Sequence, residues 1–258
     1  MYAYAPVAAA GYLVSLLLVL VTLPLQALLL LVTWPFDRNR AVAGRFLRLA
    51  AVGMAKTFPP WRLQVEGRFP GKGPYVVVAN HESMLDILLI SHIPREMKWV
   101  AKASLFDVPW VGWMFRLAGD IPVTRGNSES GGAALARARR YLAHGMNVMI
   151  FPEGTRSTRG TLLPFKSGAF RLALDAKVPV LPVAVAGTAR GLPKGNPWVR
   201  PCRATARILE PMAIEPFGDD AVALRDAVRA RIEAAVQELR GKAAPVAVSG
   251  TATAEREA

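Results

Sequence analysis

No charged side chain occurs before Asp37. From Pro6 to Trp34 the chain reads PVAAAGYLVSLLLVLVTLPLQALLLLVTW, longer than the roughly 20 helical residues that cross a bilayer core of about 30 Å. A helix apolar on every side needs apolar surroundings on every side, and a run of this length points to a bilayer rather than a soluble core. No Lys or Arg precedes it, so the basic region that opens a secretory signal peptide is missing. Pro24 falls inside the run and is expected to kink or break the helix, which leaves one tilted span or a shallow re-entrant pair. Arg38, Arg40, Arg45 and Arg48 follow directly, and the positive-inside rule assigns such a cluster to the cytoplasmic side.

From Arg38 to Phe58 basic and apolar residues alternate on one predicted helix. Two readings stand: a helix in the headgroup plane with Arg45 and Arg48 on lipid phosphates, or an amphipathic helix packed on the domain. Residues 1–58 are therefore read as a membrane anchor. Beyond Pro59 and Pro60, strand-like segments (Leu63–Val65, Tyr75–Ala79, Met97–Val100, Val148–Phe151, Val180–Ala186, Thr205–Leu209) alternate with helix-like ones. The helices are expected at Ser83–Ser91, Val108–Leu117, Ser128–His144, Lys166–Asp175 and Asp220–Arg240. Such alternation predicts an α/β domain over residues 59–240, with a largely parallel central sheet flanked by helices. Pro179 and Pro182 would mark their strand as an edge. The small, polar residues 241–258 read as a disordered tail.

Two numbers narrow the partners. A formal net charge of +13 favours something anionic: nucleic acid, an acidic membrane surface or a phosphorylated substrate. One cysteine, Cys202, excludes intrachain disulfides and multi-cysteine metal cages, and fits a reduced, cytosolic thiol. His92 and His144 are isolated, so no metal-ligand set is expected. No helix-turn-helix, zinc finger or RNA-binding motif is evident, so nucleic acid is not the expected partner.

Chemistry in a parallel sheet gathers where strands end at their carboxyl edge. The run YVVVANHESMLDILL puts His81 just past such an end, with Asp86 five residues on. Five residues along one helix would separate the two around its axis. With Ser83 as N-cap, however, Asp86 lies in the first turn and can point back at a histidine in the preceding loop. That makes a base and its orienting carboxylate. Ser83 and Asp86 also spell a capping box, in which Asp86 only reaches the Ser83 backbone; both readings remain open here. A second strand ends in FPEGTRS, where Glu153, Gly154, Thr155 and Arg156 could surround an oxyanion or phosphate. Arg125 sits in the turn-prone GDIPVTRG, and VPVLPVAV comes after both.

In this order NHESMLD, GDIPVTRG, FPEGTRS and VPVLPVAV resemble the four blocks of the glycerolipid acyltransferase family, in particular its bacterial 1-acyl-sn-glycerol-3-phosphate acyltransferases. AKASLFDVPWVGW and FKSGAF resemble the segments after the first and third blocks. The likeness covers about Tyr75 to Val185. Met84 stands where the family often has a bulky aromatic residue, and Thr124 where it often has an acidic one.

The resemblance implies a membrane-bound O-acyltransferase. A fatty acyl group would pass from acyl-CoA or acyl carrier protein to the sn-2 hydroxyl of lysophosphatidic acid, giving phosphatidic acid. His81 would be the general base and Asp86 its orienter. Arg156, Lys102 and Arg125 would hold the acceptor phosphate, and Glu153 would order Arg156 or meet the acceptor glycerol. Neither cofactor nor metal is implied. The enzyme would sit on the cytoplasmic face of the inner membrane, against an anionic lipid surface. The alternatives are another lysolipid acceptor, such as a lyso-ornithine lipid, or a non-catalytic membrane protein that binds anionic lipid.

Overall fold

The computed structural model describes residues 5–71, 73–157, 161–196 and 198–243. Helix α1 (Ala5–Thr33) runs without interruption through Pro24, so the re-entrant pair is not seen. Its buried positions, Ala8, Gly11, Ser15, Thr22, Gln26 and Thr33, recur at helical spacing, and all are small or polar. The opposite side presents Leu13, Leu16, Leu17, Leu20, Leu28 and Leu31. Small side chains let a neighbouring backbone approach: Gly11 meets the Phe58 ring, and Gln26 Nε2 donates to the carbonyls of Ala43 and Met114, both at 3.1 Å.

Those carbonyl partners lie on α2 (Ala41–Lys56) and on a later helix, Val111–Ala118. The first two amides of α2, Ala41 and Val42, are capped by the Asp37 carboxylate at 2.9 and 2.7 Å, which also suits the positive end of the helix dipole. Of the two readings for this helix, packing on the domain is the one observed. Arg48 is 3% exposed and donates to both oxygens of Asp120 at 2.6 and 2.5 Å, while Arg45 Nη1 donates to the Ile93 carbonyl. The expectation that Arg48 meets lipid phosphates is corrected: a buried guanidinium without its carboxylate is too costly to leave unpaired.

The domain continues through β1 (Trp61–Glu66), β2 (Val76–Ala79), α3 (Leu85–Ile90), β3 (Met97–Lys102), α4 (Val111–Ala118), β4 (Ile121–Val123) and α5 (Ser128–Ala143). After these come β5 (Asn147–Ile150), α6 (Gly168–Ala176), β6 (Val180–Ala186), α7 (Thr188–Gly191), β7 (Cys202–Ile208) and α8 (Ala221–Ala243). Among the described residues they form an α/β fold around a seven-stranded sheet in the order β1-β7-β6-β2-β5-β3-β4. Every pairing is parallel except β6 with β7. Strand alternation splits the core. Val76 and Val78 face α5, α6 and α8 with Phe170 and Leu224, whereas Val77 and Ala79 face Leu85, Leu89 and Trp99 on the other side.

Two expectations fail on this sheet. The strand containing Pro182 is internal, between β7 and β2. Its proline is tolerated because regular pairing with β7 begins only at Val183, and the Pro182 carbonyl still accepts from the Leu209 amide. Strand β4 has no counterpart among the expected strands; at three residues around Pro122 it leaves no alternation to read. The last helix runs to Ala243, three residues into the expected tail, and residues 244–258 lie outside the described residues.

Candidate active site

Five parallel strands end on one side of the sheet, and their carboxyl ends deliver the predicted residues to one place. β2 leads to His81, β3 ends at Lys102, β4 leads to Arg125, and β5 leads to the loop holding Glu153, Gly154, Thr155 and Arg156. β6 leads to Thr188. A cavity of about 670 Å³ is lined by His81, Lys102, Arg125, Gly154, Thr155 and Arg156 together. Asp86 and Glu153 are buried just behind its wall.

His81 is held on every side. Its Nδ1 lies 2.7 Å from Asp86 Oδ2, its ring stacks on Phe151 at 4.0 Å, its amide donates to Glu153 Oε1 at 2.7 Å, and its carbonyl accepts from the Ser157 amide. The preceding Asn80 is fixed by a reciprocal pair of bonds to the Val185 backbone, both 2.8 Å. A carboxylate only accepts, so Nδ1 carries the proton and the free lone pair is on Nε2. The imidazole that lines the cavity is therefore a base with its tautomer set.

The two roles left open for Asp86 coexist. Oδ2 accepts from the backbone amides of Glu82 and Ser83 at 2.7 and 3.0 Å as well as from His81, and Ser83 Oγ accepts from the Leu85 amide. Helix α3 begins at Leu85 with Met84 as its N-cap and no side-chain cap bond, so the expected cap at Ser83 is not seen; the Glu82 and Ser83 amides on Oδ2 still hold the turn that aims the carboxylate at the imidazole. Asp86 Oδ1 takes the hydroxyl of Thr188, which follows Gly187. That glycine has φ +94°, in the left-handed region that favours glycine.

Glu153 is neither a partner of Arg156 nor on the cavity wall. Its second oxygen accepts from the Leu163 amide at 3.0 Å, so it ties the β5 loop to the His81 backbone. Burial, with Asp86 and Glu82 nearby, pushes its pKa from 4.5 to about 7 despite the two backbone donors. A carboxyl that binds its proton more tightly folded than unfolded stabilises fully below about pH 4.5 and loses that contribution as pH rises through about 7. The stability advantage of the wild type over Glu153→Gln is accordingly expected to shrink across that window and level off above it, as followed by thermal melts in detergent. A constant difference across the window would show that Glu153 stays ionised in the folded protein.

The cationic rim is larger than the sequence motifs indicated. Lys166 and Lys194 join Lys102, Arg125 and Arg156 around the cavity. Lys166 stands beside Gly154, which has φ +66° and whose Cβ, if present, would lie 3.2 Å from the Lys166 Nζ. Among the described residues, none of Lys102, Arg125, Arg156 and Lys166 forms an ion pair. The Arg125 pKa is lowered, first by burial and then by the nearby charge of Arg156. Cys202 is remote from this chemistry; burial pushes its thiol to about 11, so it is protonated near neutrality.

The family model described as Acyltransferase matches residues 62–186, from β1 to the end of β6. A 1-acyl-sn-glycerol-3-phosphate acyltransferase from Chlamydomonas reinhardtii is 36% identical, over 82% of this chain and 64% of its own length. A mouse protein named 1-acyl-sn-glycerol-3-phosphate acyltransferase alpha is also 36% identical, over 65% of this chain and 61% of its own. The chain thus spans less than two thirds of these relatives. Among solved structures, the 1-acyl-sn-glycerophosphate (LPA) acyltransferase PlsC from Thermotoga maritima superposes with a TM-score of 0.67 at 29% identity, covering 89% of this chain and 98% of that one. The motif blocks gathered at one sheet edge fall within the stretch that matches the Acyltransferase family model, and these relatives align across them.

Proposed function

We propose that this protein transfers a fatty acyl group from acyl-CoA or acyl carrier protein to the sn-2 hydroxyl of lysophosphatidic acid. The observation that carries the reading is one juxtaposition: an imidazole polarised by Asp86 at 2.7 Å, on the wall of a cavity rimmed by unpaired cations. His81 Nε2 takes the proton of the acceptor hydroxyl as its oxygen attacks the thioester carbonyl. The tetrahedral intermediate collapses with cleavage of the C–S bond. The thiolate, a good leaving group with a pKa near about 8.5, regains a proton from the imidazolium. The cations anchor the acceptor phosphomonoester, with Arg156 offering the bidentate fork that lysine lacks.

The membrane is the second component of the proposal. Among the described residues one helix, Ala8–Thr33, is long and apolar enough to cross a bilayer. Its leucine side, turned away from α2 and α4, enters the lipid of the cytoplasmic face of the inner membrane, while its small and polar side stays on the domain. The site then meets a lipid acceptor from the bilayer and a thioester donor from the cytosol.

Thiol release in mixed micelles, with acceptor and donor varied separately, tests the reading. Arg156→Ala is expected to lower kcat/KM for lysophosphatidic acid by about ten- to hundredfold, the effect of one charge-assisted hydrogen bond of roughly 1.5–3 kcal/mol. Arg156→Lys should recover only part of it, and the KM for the thioester should barely move. Turnover of a lysolipid without a phosphomonoester at the same rate would favour the other acceptor class. A response of Arg156→Ala through the donor alone would assign this loop to the phosphates of the acyl carrier.

A further inference from the structure

We propose a second anion site, separate from the catalytic cavity, that binds the phosphate of an anionic phospholipid. Behind β4 two adjoining clefts of about 400 and 300 Å³ share Arg137. The first is walled by Pro122 and Ala103, whose chain neighbours Val123 and Lys102 line the catalytic cavity instead. Arg40, Arg116, Arg137 and Arg140 converge on this pair of clefts. Its carboxylates offset little of that charge. Asp120 is taken by Arg48 and by the Trp99 amide, and exposed Asp107 reaches Arg116 only at 3.5 Å. Among the described residues Arg137 and Arg140 have no ion-pair partner; Arg137 rests near the Tyr141 ring, 6.0 Å from its centre.

The surroundings identify the source of the phosphate. Arg40 is the N-cap residue of α2, at the end of the short connection from α1, and its guanidinium lies 5.6 Å from the centre of the Trp34 ring. Beside it Leu31, Val32 and Phe36 are 74, 60 and 76% exposed. A soluble phosphate has no use for an adjoining apolar ledge, whereas a phospholipid needs cations for its headgroup and apolar surface for its chains. An aromatic ring between the two belongs at the same depth. The sequence pattern points to Arg45 and Arg48 for lipid contact, but both are spent on internal bonds; Arg40 and Arg116 likewise each donate to a backbone carbonyl, which leaves Arg137 and Arg140 of α5 to take their place.

This inference rests on α1 being membrane-embedded, and the experiment separates the two. The full-length protein is floated with phosphatidylcholine vesicles, with and without phosphatidic acid. Wild type is expected to bind both and the anionic vesicles more tightly. The double variant Arg137→Ala, Arg140→Ala should lose roughly tenfold on the anionic vesicles only, with unchanged turnover in nonionic micelles. Arg231→Ala, an exposed residue of α8, should lose nothing. No binding to either vesicle overturns the membrane reading; binding without an anionic increment overturns this site alone. Equal losses in the Arg231→Ala control would reduce it to general charge. Reversal of the increment by inorganic phosphate at constant ionic strength would make it a soluble-anion site. Capture of acyl carrier protein without vesicles, abolished in the double variant, would make it a protein-docking face.

Discussion

His81→Ala is expected to lower kcat by about three orders of magnitude, within the range a positioned general base contributes, while the protein stays folded. The fold should tolerate the change because the turn around His81 does not depend on its ring. Asp86 keeps the Glu82 and Ser83 amides and the Thr188 hydroxyl, and Glu153 keeps the residue 81 amide. The loss should appear in kcat, with little change in KM for either substrate, since the cationic rim is untouched. Steady-state thiol release gives the rate, and a melting curve in the same detergent reports the fold. Near-normal turnover in a folded His81→Ala protein would end the general-base mechanism.

Much of this site is legible in the sequence because its chemistry is local to strand ends. The β-branched run Val76-Val77-Val78 marks a fully buried strand, and the loop after such a strand in a parallel sheet lies at the functional edge. His81, Asp86 and the loop from Glu153 to Arg156 can be found that way. Residues brought in by long-range pairing cannot. Thr188 reaches Asp86 from 102 positions away, and its only signal is a glycine followed by a threonine after a strand. Lys166 lies inside FKSGAF, a segment whose likeness to the family is visible while the direction of its charge is not. The expected pairing of Glu153 with Arg156 is not seen, for a similar reason: its burial between two backbone amides is a property of the folded loop.

The N-terminal helix shows the same limit. Its composition shows length and apolarity enough to cross a bilayer, but not which side of it faces protein. The stripe Ala8, Gly11, Ser15, Thr22, Gln26, Thr33 is present in the sequence, at the spacing by which small residues mark close helix packing. Averaging hydropathy over the run conceals it, because a few small or polar residues hardly dilute so many leucines. Arg48 illustrates the converse. A basic residue after an apolar run suggests lipid phosphate, yet its partner Asp120 lies 72 positions ahead and no local pattern announces it.

Asp86→Asn is expected to keep the fold and lose about a hundredfold or more in kcat, and the reason lies in which atom each partner uses. Three donors converge on Oδ2, namely His81 Nδ1 and the amides of Glu82 and Ser83, so the oxygen of the asparagine amide must occupy that place. Its NH₂ then replaces Oδ1 and faces the Thr188 hydroxyl, which can rotate to accept. Every hydrogen bond survives, including those from the Glu82 and Ser83 amides, and the imidazole keeps its tautomer. What is lost is the negative charge that stabilises the imidazolium formed as the hydroxyl is deprotonated. Without that charge the imidazolium that forms is less stabilised, so turnover should fall while the fold is kept. Asp86→Ala is the contrasting case. It leaves two buried amides and the Nδ1 proton without an acceptor, at about 1–3 kcal/mol each, and should cost stability as well as rate. Near-normal turnover in a folded Asp86→Asn protein would leave Asp86 a residue that only shapes the turn.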